Sequence, residues 1–418
     1  MNLKFSFVFI FASLFLLNIC SGQNPGNNEP DPKKYISDEI IVKFSGSTAA
    51  KAIELTCNEL GATDIRSGYG GHYHVLKIKD GTVEETLKRC KKNKEIEYAE
   101  PNHIYYINMV PNDEFYAFQW HLHMVNLEEA WEESTGDGIT IALIDTGVDP
   151  DGIDGFGSRL IRGMDFINRI NHSRDDNGHG THLAGTLAQE TNNGTGVSGV
   201  APDATILAIK AFDKNGSSRT DNVVDSVRWA VENGARVINL SFGGAPFNET
   251  FETAINEGIE QGVVFVAAAG NGSQPQITFP AAYEGVISVG AVQQDKKLAP
   301  YSNHGPDLDV VAPGGNVFKD QNNDNNADGI LQETLFTDIL KSTNPIRNYY
   351  FLDGTSMAAP HVSGVIALLM SKYPRLGPSI IRRIIRSSAD DLGEPGRDDT
   401  FGWGLVNASN ALRFLENR

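Results

Sequence analysis

Three stretches of this chain carry residues able to do nucleophilic chemistry together: IALIDTGVD (141–149), DNGHGTHLAG (176–185) and GTSMAAPHVSG (354–364). They supply Asp145, His179 and Ser356, each beside glycines that let a backbone come close to a bound molecule. A serine hydroxyl is a poor nucleophile near neutral pH. It becomes a good one when a histidine accepts its proton and a carboxylate holds that histidine in the right tautomer. Taken singly, the three have ordinary explanations: a serine caps a helix, and a histidine or an aspartate packs. Their joint presence favours the chemical one.

Such residues, far apart in sequence, meet only if each stands at the end of an element. From residue 120 the pattern repeats strand, glycine-rich turn, helix. The predicted strands are 139–145, 205–212, 236–242, 263–269, 286–292 and 307–313, nearly continuous apolar runs of the kind parallel strands show when covered on both faces. Predicted helices cover 182–189, 221–233, 251–261, 356–372 and 379–388. This alternation means a doubly wound, mostly parallel α/β sheet with helices on both faces and a site at the carboxyl ends of its strands. Asp145 ends one such strand, Asn271 follows another, and His179 and Ser356 begin helices.

The order Asp, His, Ser, with these flanking residues, resembles the subtilisin-like serine peptidases over residues 113–412. The resemblance implies that Ser356 attacks, His179 carries the proton and Asp145 orients it. It makes Asn271, in VAAAGNGS (266–273), the oxyanion donor acting with the Ser356 backbone N–H. The ordinary alternative is a turn asparagine before glycine, and a glycan on the sequon Asn271-Gly272-Ser273 does not suit a catalytic site. His182 becomes a packing residue. Gly216, Ser217 and Ser218 in NGSS, and Ser241, Phe242 and Gly243 in SFGG, resemble edges that hold a polypeptide by main-chain hydrogen bonds. Ala268, Ala269, Gly270 and Thr278 complete the first pocket. None of these is acidic, so an apolar or aromatic side chain is expected there over Lys or Arg, with broad specificity otherwise. The rival readings are a peptide-binding relative without activity and a dedicated processing protease.

Two stretches suggest structural Ca2+. In DQNNDNNADG (320–329), Asp320, Asn322, Asp324 and Asp328 occupy positions 1, 3, 5 and 9 of an EF-hand-type loop. Asn325 replaces the turn glycine and no glutamate closes position 12, which leaves Glu333 or water to complete the set; a second register starts at Asp324 with Asn326 and Asp328. TNNGTGV (191–197) resembles the family's high-affinity calcium loop, with Asn193 giving a side-chain oxygen, Thr191, Thr195 and Val197 giving carbonyls, and Asp154 adding a carboxylate. Solvated acidic loops are the plain alternative.

The 418 residues leave room for more than this sheet. Residues 1–22 read as a secretory signal, Lys4 followed by an apolar run shorter than the ~20 residues that span a bilayer. A signal anchor, or a lipid anchor through Cys20, is the alternative to a secreted, extracellular enzyme. Residues 23–110 read as an inhibitory propeptide with a flexible start (23–34) and then β-α-β-β-α-β-like order, a small α+β ferredoxin-like sheet. Residues 111–418 are the subtilisin-like catalytic domain, with self-cleavage expected between 106 and 113. Cys57 and Cys90 fall on the two propeptide helices and are expected to be buried, so no disulfide holds the mature part together. The acidic excess, 53 Asp and Glu against 35 Lys and Arg, falls almost wholly beyond residue 112. It argues against nucleic acid or an anionic membrane as a partner. The expected partners are polypeptide substrates and the chain's own propeptide, acting as folding aid and inhibitor; the enzyme is expected to be a monomer.

Overall fold

The computed structural model describes residues 35–46, 48–103, 110–336 and 346–416. The signal stretch, Cys20, the 23–34 leader and residues 106–109 of the expected cleavage region lie outside the described residues. Two compact units part between Ile107 and Asn108.

The first unit runs β1 (Tyr35–Phe44), α1 (Ala50–Glu59), β2 (Ala62–Ser67), β3 (His74–Ile78), α2 (Val83–Cys90) and β4 (Ile96–His103). Its sheet has the order β2-β3-β1-β4, with antiparallel neighbours throughout. This is the ferredoxin-like arrangement expected. The strand β2 has no apolar alternation of its own and is recruited by its register with β3. Thr82 and Glu85 close a capping box at the start of α2. Cys57 and Cys90 are buried with Ile40, Val42 and Leu76. Burial pushes the Cys90 thiol up to about 11, which suppresses thiolate chemistry there.

In the second unit, α3 (Trp120–Met124) and α4 (Leu127–Trp131) precede β5 (Thr140–Asp145). The sheet continues with β6 (Leu160–Asp165), β7 (Thr205–Lys210), β8 (Val237–Leu240), β9 (Val264–Ala268), β10 (Ile287–Val292) and β11 (Val310–Pro313). Its order is β11-β10-β9-β8-β5-β7-β6, with every pairing parallel. The order changes direction at β5, so the carboxyl end of β5 opens onto the crevice where such sheets bind ligands. The helices are α5 (His179–Ala188), α6 (Thr220–Glu232), α7 (Glu249–Glu260), α8 (Thr355–Lys372), α9 (Pro378–Ser388) and α10 (Ala408–Arg413).

Two features escaped the sequence pattern. The edge strand β6 exposes Ile161 and Arg162, so it lacks the apolar run of its neighbours. An antiparallel pair, β12 (Ile330–Phe336) with β13 (Ile346–Leu352), precedes α8. Its buried residues include Gln332, Glu333 and Thr334, polar types that read as loop until the fold supplies their partners.

The helix α8 is the centre of the core: every residue from Met357 to Met370 is buried. An amphipathic stripe is absent because the helix has apolar neighbours all round.

Candidate active site

The end of β5 delivers Asp145, whose side chain is 3% exposed, to the imidazole of His179, which is 31% exposed. His179 Nδ1 lies 2.8 Å from Asp145 Oδ1, and the Thr146 N–H donates to the same oxygen at 2.8 Å. An acceptor at Nδ1 assigns the ring proton to that nitrogen and leaves a lone pair on Nε2. Burial disfavours a charged imidazole, but the Asp145 charge and hydrogen bond, with the Asp175 charge, outweigh it and raise His179 above its ordinary value.

The turn that aims His179 hangs on Asp175. Its Oδ1 accepts the N–H of Asn177 and Gly178, and its Oδ2 the N–H and hydroxyl of Thr181. Gly180 follows the histidine because a Cβ there would lie 2.1 Å from the Gly147 carbonyl oxygen. His182 points elsewhere, with Nε2 3.0 Å from the Ile330 carbonyl, and burial lowers it to about 3. It packs, as expected.

Ser356 sits in the first turn of α8, after Gly354 at φ 151° and ψ 159°, a region that only glycine occupies comfortably. Pro360 lacks the N–H that would normally bond the Ser356 carbonyl one turn back. That freed carbonyl accepts the Ser241 hydroxyl at 2.9 Å instead. The Ser356 hydroxyl in turn donates to the Ser241 carbonyl at 2.9 Å. Among the described residues no hydrogen bond joins it to His179, the partner the sequence pattern names. A hydroxyl rotor takes the nearest good acceptor, and catalytic hydrogen bonds often align only around bound substrate.

Asn271 is held by its amide oxygen, which accepts the Thr355 N–H at 2.9 Å and the Thr355 hydroxyl at 2.8 Å. Its Nδ2 is thereby turned the other way. A Cβ on Gly354 would lie 3.6 Å from Asn271 Nδ2 and 3.6 Å from the Ser356 nitrogen. Both nitrogens thus lie within 4 Å of the same point beside Gly354, with Met357 Sδ at 3.5 Å from it.

A cleft of about 370 Å³ opens beside Ser356 and Asn271, lined by Phe242, Gly243, Ala268, Gly270 and Thr278. Two predicted wall residues lie behind the surface. Ser241 is buried beneath Ser356, and the Ala269 carbonyl accepts the Thr278 N–H at 3.0 Å. Gly216, Ser217 and Ser218 line a neighbouring pocket of about 350 Å³ instead. Its floor is aromatic: Phe212, Phe242, Phe247, Phe251, Phe279 and Tyr283. Phe212 and Phe242 meet with tilted rings at 4.7 Å, and Phe279 and Tyr283 likewise at 4.6 Å. These residues are scattered through the sequence and no motif marks them.

Lys210 is another residue the motifs do not mark. Fully buried at 2% exposure, it donates to the carbonyls of Thr146 and Phe212, both at 2.8 Å, and to Asp176 at 2.6 Å. It ties the end of β5, the segment entering the aromatic pocket and the His179 turn to one cation.

The two cation stretches differ. Asp154 is 2% exposed and accepts the Val197 N–H and the Asn193 amide, both at 2.9 Å. Burial pushes its carboxyl up to about 6. Thr191 and Thr195 stand in the same loop, where the Thr195 N–H donates to Asn193 Oδ1 at 2.7 Å. The Tyr349 hydroxyl is buried with no hydrogen-bond partner among the described residues, and a Cβ on Gly196 would lie 2.3 Å from both that hydroxyl and Asp154 Oδ2. Asp113, missed in the sequence, accepts the N–H groups of Asn192 and Asn193 and the Ser198 hydroxyl.

In the acidic loop, Asn325 adopts φ 66°, the left-handed turn that position requires. Asp320 accepts the N–H groups of Asp324 and Asn325, Asn322 also accepts from Asp324, and Asp328 accepts from Gln321. The Asp328 carboxyl is raised by burial and by its acidic neighbours. Glu333 does not complete this loop. Its carboxylate receives the Ile153 N–H at 2.5 Å and the Asp154 N–H at 2.7 Å, so it belongs beside the other stretch. Among the described residues no three His, Cys, Asp or Glu side chains gather as a metal cluster. Any cation here depends on amide and carbonyl oxygens, the donors a hard cation accepts.

Comparison with known proteins identifies the family. The subtilase family description matches residues 136–404, and that of the fervidolysin N-terminal prodomain matches residues 21–102. The thermophilic serine proteinase of Bacillus sp. (strain AK1) is 38% identical over 422 residues, 97% of each chain. Thermitase of Thermoactinomyces vulgaris is 35% identical over 73% of this chain and 99% of its own. Among solved structures, a Pseudoalteromonas arctica protease superposes with TM-score 0.65 at 33% identity, over 73% of this chain and 99% of that one. Fervidolysin of Fervidobacterium pennivorans, a keratinolytic enzyme related to subtilisin, gives 0.63 at 28% identity, over 92% and 62% respectively. The chain therefore belongs to the subtilase family of serine proteases, with a fervidolysin-type prodomain ahead of its peptidase domain.

Proposed function

We propose that this protease is an exported endopeptidase, made as a zymogen, that cuts polypeptides through Ser356, His179 and Asp145. The observation that carries this reading is that Asn271 Nδ2 and the Ser356 N–H both lie 3.6 Å from one point beside Gly354, close enough for both to serve one oxyanion. Rotation about the Ser356 Cα–Cβ bond takes Oγ from the Ser241 carbonyl toward His179. As Oγ bonds to the scissile carbon, its proton passes to His179 Nε2, and the carbonyl oxygen becomes an anion held by those two donors. Collapse breaks the C–N bond while His179 returns the proton to the departing amine. Water repeats the sequence on the ester and frees Ser356.

Substrate lies extended along 216–218 and 241–243, so recognition is mostly main-chain and specificity broad. The cleft walls carry no acid, which favours an apolar or aromatic side chain before the scissile bond. The aromatic pocket beside 216–218 accepts a second apolar side chain upstream. Incubation with casein should give hydrolysis that a serine-directed fluorophosphonate abolishes, with the label on Ser356. A panel of chromogenic peptides should rank Phe and Leu above Arg at the first position. A strong Arg preference overturns the pocket assignment.

The prodomain assists folding and blocks the cleft until the chain is cut between 106 and 113. Structural Ca2+ fits the stretch around Asp154 best, with Asn193, the carbonyls of Thr191, Thr195 and Val197, and Asp113 as added carboxylate. Bound there, it supplies positive charge to a carboxylate that burial disfavours. Asp154 ionises reluctantly in the folded chain, so stability falls as pH rises toward 6 unless a cation offsets the charge. Chelation at pH 8 should lower Tm by 10 °C or more, on the order of several kcal/mol of linked binding, and Asp154→Asn should blunt that response. An unchanged Tm with calcium demonstrably removed rules the assignment out. The acidic loop 320–328 is a second, weaker calcium site by the same reasoning.

A further inference from the structure

The turn that carries Asn271 has almost no regular partner of its own. It leaves β9 and passes through Gly270 at φ 111° and Ser273 at φ 54°, so its peptide groups cannot continue the sheet ladder. Buried backbone groups need partners from somewhere. One side chain, Asn303, supplies three of them, while Thr355 Oγ1 and the Tyr301 carbonyl take the N–H groups of Gly270 and Ser273. It is 2% exposed. Its Oδ1 accepts the Gly272 N–H at 2.9 Å and the Gln274 N–H at 3.0 Å. Its Nδ2 donates to the Ala269 carbonyl at 3.2 Å, and its backbone N–H donates to the Gly270 carbonyl at 2.8 Å. Gly270 must be glycine partly for this reason, since a Cβ there would meet Asn303 Nδ2 at 2.4 Å.

We propose that Asn303 is the positioning residue of the oxyanion site, fixing the backbone on both sides of Asn271 so that Nδ2 stands where the anion forms. The inference rests on the oxyanion role assigned to Asn271. The two residues divide the task. Thr355 sets the rotation of the Asn271 amide through its Oδ1 and also accepts the Gly270 N–H at 3.2 Å, while the Asn303 side chain holds the Ala269 carbonyl before Asn271 and the Gly272 and Gln274 amides after it. An aliphatic side chain at 303 would leave the Gly272 and Gln274 amides without their acceptor, and the turn would relax to satisfy them elsewhere. Displacing a catalytic group by about 1 Å costs on the order of 10²-fold in rate. The loss should fall on kcat, because substrate contacts its edge segments whether or not the oxyanion donor is aligned.

A double-mutant cycle on the full-length chain after activation tests this. Asn271→Gly alone should lower kcat by about 10²–10³-fold. Asn303→Leu alone should lower kcat by about 10–100-fold with KM changed less than threefold. In the Asn271→Gly background Asn303→Leu should cost less than threefold, because the group it positions is gone. A peptide boronic acid, whose tetrahedral adduct fills the anion position, should weaken in step with kcat. Equal losses from Asn303→Leu in both backgrounds, or a loss confined to KM, overturn the proposal. If Asn271→Gly itself costs little, the oxyanion reading fails instead. Should Asn303→Leu not yield soluble enzyme, Asn303→Ser, which keeps a buried hydroxyl as acceptor, enters the same cycle with the same criteria and a smaller expected loss.

Discussion

Replacing Ser356 with alanine should lower kcat by about 10⁶-fold, the figure known for the same change in subtilisin, a member of this family. The residual rate expected is what the oxyanion donors and substrate binding would supply. The loss is chemical. The side chain gives up one hydrogen bond, to the Ser241 carbonyl, and an ordinary bond of this kind contributes about 1 kcal/mol. Tm should therefore fall by only about 1–2 °C for a unit of this size. Two measurements check this: hydrolysis of a peptide anilide, and gel analysis of the purified full-length variant. The chain should remain uncut between its two units. Cleavage continuing in pure Ser356→Ala protein would show that another protease removes the prodomain.

Asp145→Asn should cost about 10⁴-fold in kcat, because the amide offers Nδ1 a donor as readily as an acceptor and so releases the tautomer. The pH profile adds a second readout. His179 must be neutral to accept the serine proton, so kcat/KM rises with pH as the imidazolium disappears. Asp145 and Asp175 raise His179 above its ordinary 6.5, which places the acidic limb of the wild-type profile above that value. Removing the Asp145 charge leaves burial as the dominant influence, so the limb moves to lower pH. A variant limb at or above that of the wild type would show that Asp145 does not set the charge on His179.

The residues of the proposed site were legible because each makes a demand on its own neighbours. Gly354 has a backbone conformation closed to other residues, and Gly180 packs against the Gly147 carbonyl with no room for a Cβ. Pro360 frees the Ser356 carbonyl. Demands of this kind produce fixed short motifs, so Asp145, His179, Ser356 and Asn271 stand out in the bare chain. The strands around them were equally plain, since a parallel strand covered on both faces must be apolar along its length. Cys57 and Cys90 followed from helical spacing alone.

What the chain did not announce is what distant segments do to one another. Glu333 lies 180 residues from the Ile153 N–H it receives, and nothing local separates that role from ligation in the acidic loop. Gln332, Glu333 and Thr334 are polar and buried, a combination invisible until partners arrive. The aromatic pocket is built from rings 212 to 283 that meet only when helices pack on the sheet. Asn303 resembles any turn asparagine until its amide is seen bracketing Asn271. Local sterics and apolar periodicity act over a few residues and are written in order along the sequence. Hydrogen-bond partners for buried polar groups are chosen by whatever the folded chain brings within 3 Å, and only the tertiary structure makes that choice.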